Sequence, residues 1–133
     1  MIRPFAVLIA LTLTAALPAA AQEADCAAPV TQIEMNTCAA QDWAAADARL
    51  NDVYAETLAV MQASDRDYPI DGPSEEDRLR RAQRAWVAYR DANCDSAGYP
   101  MRGGSAEPLL FYGCLRAMTE DRIADLQSLT ETF

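Results

Sequence analysis

The chain has 133 residues, with 20 acidic and 11 basic side chains that give a formal net charge of −9 at pH 7. This excess of acid disfavours nucleic acids and anionic membranes as partners, because binding to either needs excess Lys and Arg. The absence of histidine excludes Ser/His and Cys/His nucleophiles and removes the commonest general base and metal ligand at neutral pH.

The first 21 residues have the pattern of a cleavable export signal. Arg3 gives a positive start, residues 4–17 are almost wholly apolar, and residues 18–21 supply the small side chains that a signal peptidase reads. The apolar run is shorter than the roughly 20 residues of a membrane span, so no membrane anchor is expected to remain. We predict a single periplasmic or secreted domain of residues 22–133, with ten basic against 20 acidic side chains, a net charge of −10.

The first predicted helix covers about residues 31–64. Thr31 and Glu34 have the spacing of a capping box, in which each side chain bonds the backbone of the other residue. Side chains at intervals of three and four then mark one helix face, namely Trp43, Asp47, Leu50, Asn51, Tyr54, Leu58 and Met61. Residues 65–73 are rich in Pro, Gly and Asp, which predicts a loop.

Two further helices are predicted, and no segment has the alternation of a strand. Ser74 and Asp77 form a second capping-box pattern, which starts a helix that runs to about residue 95. Residues 98–104 then form a turn, and Ser105 is expected to cap a third helix with Pro108 in its first turn. Short connections favour antiparallel neighbours, so we predict an all-α fold in which a helical hairpin carries a third helix packed across it.

Four cysteines lie in the predicted exported domain, where an even number indicates structural disulfides. Cys38 lies about 10 Å into the first predicted helix, and the five-residue lead from Cys26 can span up to about 17 Å, so it can fold back. Of the three possible pairings we predict the local one, with Cys26 bonded to Cys38 and Cys94 bonded to Cys114.

No catalytic, metal or cofactor site is predicted. Paired carboxylates can serve a glycosidase, but Glu75, Glu76 and Asp77 fall in the first turn of a predicted helix, where they complement its dipole. The cysteines lack the C-x-x-C spacing that is typical of zinc and redox sites. We therefore do not expect an enzyme.

Arg90 is the residue around which we predict a polar cluster. Arg90 lies 16 residues after Ser74 and Asp47 lies 17 residues before Ser64, so the two residues are at nearly the same distance from the loop that joins the helices. An arginine on an apolar helix face needs a carboxylate partner. The predicted members are Asp47, Asn51, Gln83 and Arg90, around Trp86. Such a cluster can be a recognition site, although an internal network that specifies the fold is the interpretation we favour.

The turn before the third helix is the other candidate binding site. A glycine-rich turn ahead of a helix start exposes backbone N–H groups that can cradle an anion. The candidate residues are Tyr99, Arg102, Gly103, Gly104 and Ser105. A plain disulfide-closed connector is the alternative, and the composition favours it.

Short motifs are spread in order over nearly all of the predicted mature chain. They are residues 31–39, 46–47, 50–51, 54, 82–94 (AQRAWVAYRDANC) and 103–105, with Cys114, Thr119 and Arg122. Together these motifs closely resemble the small exported LprI-like lysozyme-inhibitor family. The resemblance implies a helical, cysteine-bridged envelope protein that inhibits lysozyme. The negative net charge favours a cationic partner, which can be lysozyme or another cationic protein. The alternative is a non-inhibitory periplasmic binding or structural module.

Overall fold

The computed structural model describes residues 24–131, which form three long helices joined by short connections. Helix α1 spans Gln32–Asp67, α2 spans Glu75–Ala97 and α3 spans Glu107–Thr130, with a short 3-10 helix at Tyr99–Met101. The predicted all-α class is confirmed, and residues 24–131 contain no strand. The predicted export signal lies outside the described residues. No helix within them has the length and apolar character needed to cross a membrane.

Helix α1 begins at the predicted capping box. The Thr31 hydroxyl accepts a hydrogen bond from the Glu34 backbone N–H at 3.2 Å, and the Glu34 carboxylate accepts from the N–H groups of Thr31 at 2.8 Å and Val30 at 2.9 Å. These hydrogen bonds, that from Thr31 foremost, lower the pKa of Glu34 because they favour its charged form. The helix extends three residues beyond the predicted end, and the Tyr68 N–H closes it on the Ser64 carbonyl at 2.8 Å.

The start of α2 differs from the predicted capping box. Ser74 caps the helix by accepting from the Asp77 N–H at 3.1 Å, as expected, but no reciprocal bond from Asp77 is formed. Asp65 of α1 replaces it, because its carboxylate accepts the N–H groups of Glu75 at 2.8 Å and Glu76 at 3.0 Å. One side chain therefore ties the end of α1 to the start of α2.

The prediction that Ser105 caps α3 is wrong. The residue before the helix is Ala106, which makes no side-chain cap, and Pro108 lies in the first turn as predicted. The Ser105 carbonyl instead accepts a hydrogen bond from the side-chain amide of Asn36 at 2.8 Å, so this residue links the turn to α1.

The three helices lie side by side, with α2 antiparallel to the other two. Asp47 pairs with Arg90, and Gln62 bonds Glu76, so α2 runs back along α1. Because Asn36 bonds Ser105 at one end and Thr57 lies 3.5 Å from the Leu126 carbonyl at the other, α3 runs parallel to α1. The third helix packs more extensively on α1 than α2 does, so it lies along α1 rather than across the hairpin.

The apolar core lies in the half of the bundle near the α1–α2 connection. Its buried members are Leu50, Val53, Met61, Leu79, Ile123 and Leu126, against which Tyr54, Leu58 and Trp86 pack. We call residues 68–74 the loop and residues 98–106 the turn. The bundle half next to each connection is the loop half or the turn half.

Both predicted disulfides are present. Cys26 is bonded to Cys38, with their Cα atoms 5.4 Å apart, and this bond holds the segment before α1 against the helix. Cys94 is bonded to Cys114, with their Cα atoms 5.5 Å apart, and this bond joins the end of α2 to the first half of α3. Two such bonds fit an oxidising compartment, since cytosolic thiols are kept reduced.

Candidate functional site

Arg90 lies at the centre of a polar cluster that joins all three helices. Its Nη1 donates to Asp47 Oδ1 of α1 at 2.9 Å and lies 3.4 Å from Thr119 Oγ1 of α3. Its Nε donates to Asp91 Oδ1 of α2 at 2.9 Å. The register of the hairpin therefore brings Asp47 and Arg90 together as the sequence predicted.

Aromatic rings cover the guanidinium of Arg90. The Arg90 Cζ lies 5.1 Å from the Trp86 ring centroid and 5.8 Å from that of Trp43. The Cζ of Arg122 lies 5.9 Å from the Trp86 centroid, so two arginines share one indole. Distances below about 6 Å allow the cation to be attracted by the ring quadrupole, which compensates for part of the lost hydration.

Two predicted members of the cluster stand apart from Arg90. Asn51 is exposed and makes no hydrogen bond within residues 24–131, because it follows the buried Leu50 and points to a different side of α1. Gln83 accepts a hydrogen bond from Arg122 Nε at 3.1 Å rather than from Arg90.

Several members of the cluster were not predicted. They are Trp43, Asp91, Thr119 and Arg122. Trp43 precedes Asp47 by four residues on the same face of α1, which is a usable signal for its position. Thr119 and Arg122 were noticed only through the family resemblance, because no local pattern shows which side chains α3 turns towards α2.

The exposure of its side chains indicates whether this cluster is a binding site or an internal network. The side chain of Arg90 is 8 % exposed, whereas those of Asp47 and Asp91 are 36 % and 56 % exposed. The guanidinium is therefore buried, while its two carboxylate partners lie at the edge of the cluster and reach water. This geometry favours the interpretation of an internal network that fixes the arrangement of the helices.

The two glycine amides of the turn are hydrogen-bonded within the chain. The Gly103 N–H donates to the Glu107 carboxylate at 2.7 Å, and the Gly104 N–H donates to the Met101 carbonyl at 2.8 Å. Because a carboxylate and a carbonyl of the chain already accept from these two amides, the turn does not cradle an external anion through them. Gly103 has a φ of 75°, a conformation that suits glycine in a tight turn.

Exposed side chains and internal braces characterise the turn. Tyr99 is 71 % exposed and Met101 is 50 % exposed, and the Arg102 side chain is also exposed. Within residues 24–131, the Arg102 guanidinium makes no ion pair or hydrogen bond. Below these side chains, the Cys94–Cys114 bond and the bond from Asn36 to Ser105 hold the turn against α3 and α1.

No arrangement for a metal ion is found in the described part of the chain, where no three Cys, Asp or Glu side chains group together suitably. Carboxylates there have other partners, such as Asp42 and Glu120, which accept from Arg116 at 3.1 Å and 2.9 Å. These contacts, that with Glu120 foremost, raise the pKa of Arg116. The described residues thus offer an exposed turn and an internal polar cluster as candidate sites.

Known proteins are similar to this chain over most of its length. The family model described as "Lysozyme inhibitor LprI" matches residues 23–126. A protein of Rhizobium meliloti (strain 1021), called Uncharacterized protein R02472, is 45 % identical over 129 residues, which cover 93 % of each of the two chains. No solved structure gives a significant match.

Proposed function

The chain belongs to the LprI lysozyme-inhibitor family, and from this membership we propose that it is an exported protein that binds a lysozyme directly and inhibits it. The single observation that carries the proposal is the family match, which spans nearly the whole helical domain. The Rhizobium meliloti protein is similar to this chain over most of its length, and its name states no activity.

Charge gives the proposal physical support. The predicted mature chain has a net charge of −10, whereas animal lysozymes are usually basic. An attraction of this kind raises the rate of encounter and selects among partners more than it adds affinity. We infer that charge brings the two proteins together and that a more specific contact provides inhibition.

Location outside the cytosol is the second part of the proposal. Cys26–Cys38 and Cys94–Cys114 fit an oxidising compartment, and the first 21 residues have the composition of a cleavable signal. The periplasm and the extracellular space both meet these conditions. A periplasmic inhibitor would meet lysozyme in the compartment of the cell wall, and a secreted one would meet it before it arrives there.

A muramidase assay with purified residues 22–133 tests the function. We expect a dose-dependent loss of lysis by a basic animal lysozyme, and an unrelated acidic protein of similar size and net charge is the control for charge alone. The association rate should fall steeply between about 0.01 M and 0.15 M salt, where the Debye length falls from about 30 Å to 8 Å, and dissociation should change less.

Full lysozyme activity with excess protein, across basic lysozymes of several classes, would contradict inhibition. That result would favour the alternative of a non-inhibitory envelope module, which binds another protein or a cell-wall fragment. Because the family membership does not depend on the assay, it would stand in either case.

A further inference from the structure

The two connections of the bundle expose closely similar side chains. The turn exposes Tyr99 and Met101, at 71 % and 50 %, and the loop exposes Tyr68 and Ile70, at 76 % and 52 %. Exposed apolar area therefore does not distinguish the two connections themselves, although Val30 and Ile33, at 85 % and 78 %, add exposed apolar area at the end of the molecule that contains the turn. Any preference of a partner for one connection must come from another property.

Bracing is the property in which the two connections differ. A disulfide closes the turn at its base, and the turn is also held by the Glu107 carboxylate on Gly103 and by Asn36 on Ser105. At the loop, Tyr68 bonds Ser64, the exposed Arg78 donates to the Pro73 carbonyl at 3.1 Å, and the Asp65 carboxylate accepts from the first N–H groups of α2. Hydrogen bonds at its ends hold the loop, whereas a covalent bond also closes the turn. A segment that is already ordered loses less conformational freedom on binding, so the turn is better suited to a tight contact.

Arg102 provides the chemistry that a partner would recognise at the turn. Residues 24–36 and 91–107, which form this end of the molecule, contain five carboxylates and one arginine, Arg102. The guanidinium has no side-chain partner within residues 24–131 and stands next to Met101 in the exposed turn. An acidic surface with a single exposed guanidinium complements a cationic protein that has carboxylates at the centre of its contact area.

Lysozyme has such carboxylates. Glycosidases of this kind place two carboxyl groups on either side of the bond that they cleave, inside a cleft that holds the saccharide. A guanidinium pairs well with a carboxylate, because its planar N–H groups match the two oxygens. Tyrosine beside it supplies a large and rather rigid anchor, since it has few rotatable bonds.

We propose that the turn enters the saccharide cleft of a cationic lysozyme, where Arg102 pairs with the catalytic carboxylates and Tyr99 packs on the cleft wall. The inference rests on the proposed function and adds the contact surface and the mode of inhibition. Inhibition by this route is competitive with saccharide. Arg102 and Tyr99 are then the residues on which affinity depends most.

Matched variants at the two ends test the location. Tyr99→Ala and Arg102→Ala should each raise the inhibition constant by at least about 10-fold, in the range expected of interface hot spots. The controls are Tyr68→Ala, which removes an equally exposed tyrosine from the loop, and Arg66→Ala, which removes an exposed arginine beside it. Each control should change the constant by less than about 3-fold, with circular dichroism and melting temperature unchanged in all four variants.

A double-mutant cycle tests the partner of Arg102. The second change is Glu→Gln at the catalytic acid of the lysozyme, and binding replaces activity as the readout because that enzyme is inactive. If the two groups pair, the Glu→Gln enzyme should bind the wild-type inhibitor more weakly than the native enzyme does. The Arg102→Ala inhibitor should bind the two enzymes with equal affinity. An oligomer of N-acetylglucosamine should also displace the wild-type inhibitor from the native enzyme.

The outcomes separate this inference from the function on which it rests. A wild-type protein that inhibits no lysozyme overturns both. A wild-type protein that inhibits, with turn variants no weaker than the loop controls or with no competition by saccharide, overturns the turn as the contact and leaves inhibition intact. Light scattering that shows a wild-type dimer, broken by Tyr99→Ala with inhibition unchanged, would mean that a second copy covers the turn, and it too would overturn the proposal.

Discussion

The two halves of the bundle are held together by different interactions. In the loop half, apolar side chains from all three helices meet, and Leu50 and Leu126 are almost completely buried there. The turn half has a smaller set of apolar contacts, such as the buried Leu115 and the Trp43 and Tyr112 rings. There the same three helices are also joined by the ionic contacts of Arg90 and by the Cys94–Cys114 bond. Trp86 belongs to both, because it packs on the apolar core and covers the Arg90 guanidinium.

This difference indicates a division of roles. Burial of apolar surface stabilises a fold strongly but without direction, so it tolerates small shifts of one helix along another. Disulfides and charge-assisted hydrogen bonds have narrow geometric preferences. We therefore expect the loop half to supply most of the free energy of folding and the turn half to fix the position of the turn.

The largest effect should come from the apolar core. Leu126→Ala removes a fully buried side chain and leaves a cavity between α1 and α3, which should lower the free energy of unfolding by about 4 kcal/mol. Leu129→Ala is the control on the same helix, because its side chain is exposed and its removal should change the free energy of unfolding by under about 1 kcal/mol. Urea unfolding followed by circular dichroism measures both, and equal losses would contradict an apolar loop half.

The turn half should respond most strongly to the loss of Arg90. Arg90→Ala leaves Asp47 without its partner, and the expected loss is about 3 to 4 kcal/mol. The lower part of the usual range applies because Asp47 and Asp91 reach water. Arg80→Ala, which removes a half-exposed i,i+4 pair with Glu76, should cost under about 1 kcal/mol, and comparable melting losses for the two variants would show that Arg90 is not an internal partner.

Loss of the disulfide in the turn half should reduce stability slightly less than Arg90→Ala does. Replacing Cys94 and Cys114 by alanine releases a closed loop of about 20 residues, which should reduce stability by about 3 kcal/mol. Hydrogen exchange should then rise in residues 90–97 and 107–119, while residues 50–61 and 122–126 keep their protection.

Replacing Cys26 and Cys38 by alanine is the matched control for the disulfide. Its effect on hydrogen exchange should be confined to the start of α1, because that bond joins α1 only to the segment before it. Uniform loss of protection after either replacement would mean that the two halves unfold as one unit. Peptide mapping that links Cys38 to Cys94 would overturn the pairing on which both experiments depend.

The smallest expected effect is a pH dependence at the helix starts. The N–H groups of Glu76 and Glu75 lower the pKa of Asp65 in the folded protein. A lowered pKa contributes stability that is present above the unfolded value of about 4 and is lost as the pH falls through the folded pKa. In Asp65→Asn the melting temperature should therefore fall less between about pH 5 and pH 2 than in the wild type.

Glu34→Gln makes the same comparison in the turn half, because the Thr31 and Val30 N–H groups lower the pKa of Glu34 in the same direction. Each variant should show a smaller change of melting temperature with pH than the wild type. An unchanged slope in both would show that these carboxylates do not couple folding to pH.

Local features of the sequence predicted most of the fold. Thr31 and Glu34 lie three residues apart, so the start of α1 depends on few torsions and could be read from spacing alone. Both disulfides were predicted for a similar reason, because each joins cysteines separated by 20 residues or fewer. The Asp47–Arg90 pair followed from a physical requirement, since a charge on an apolar face needs a partner within reach.

Tertiary structure alone decided the contacts between distant segments. Asp65 rather than Asp77 completes the cap of α2, and Asn36 reaches Ser105 across 69 residues of sequence. The same applies to Thr119 and Arg122, which join the cluster because α3 lies along α1. Hydrophobic periodicity identifies which face of a helix is buried but not the neighbour that it meets or their axial offset. That offset is set by the packing of all three helices at once, which is why the sequence could predict the Asp47–Arg90 pair within the hairpin but not the partners of Asp65 and Asn36.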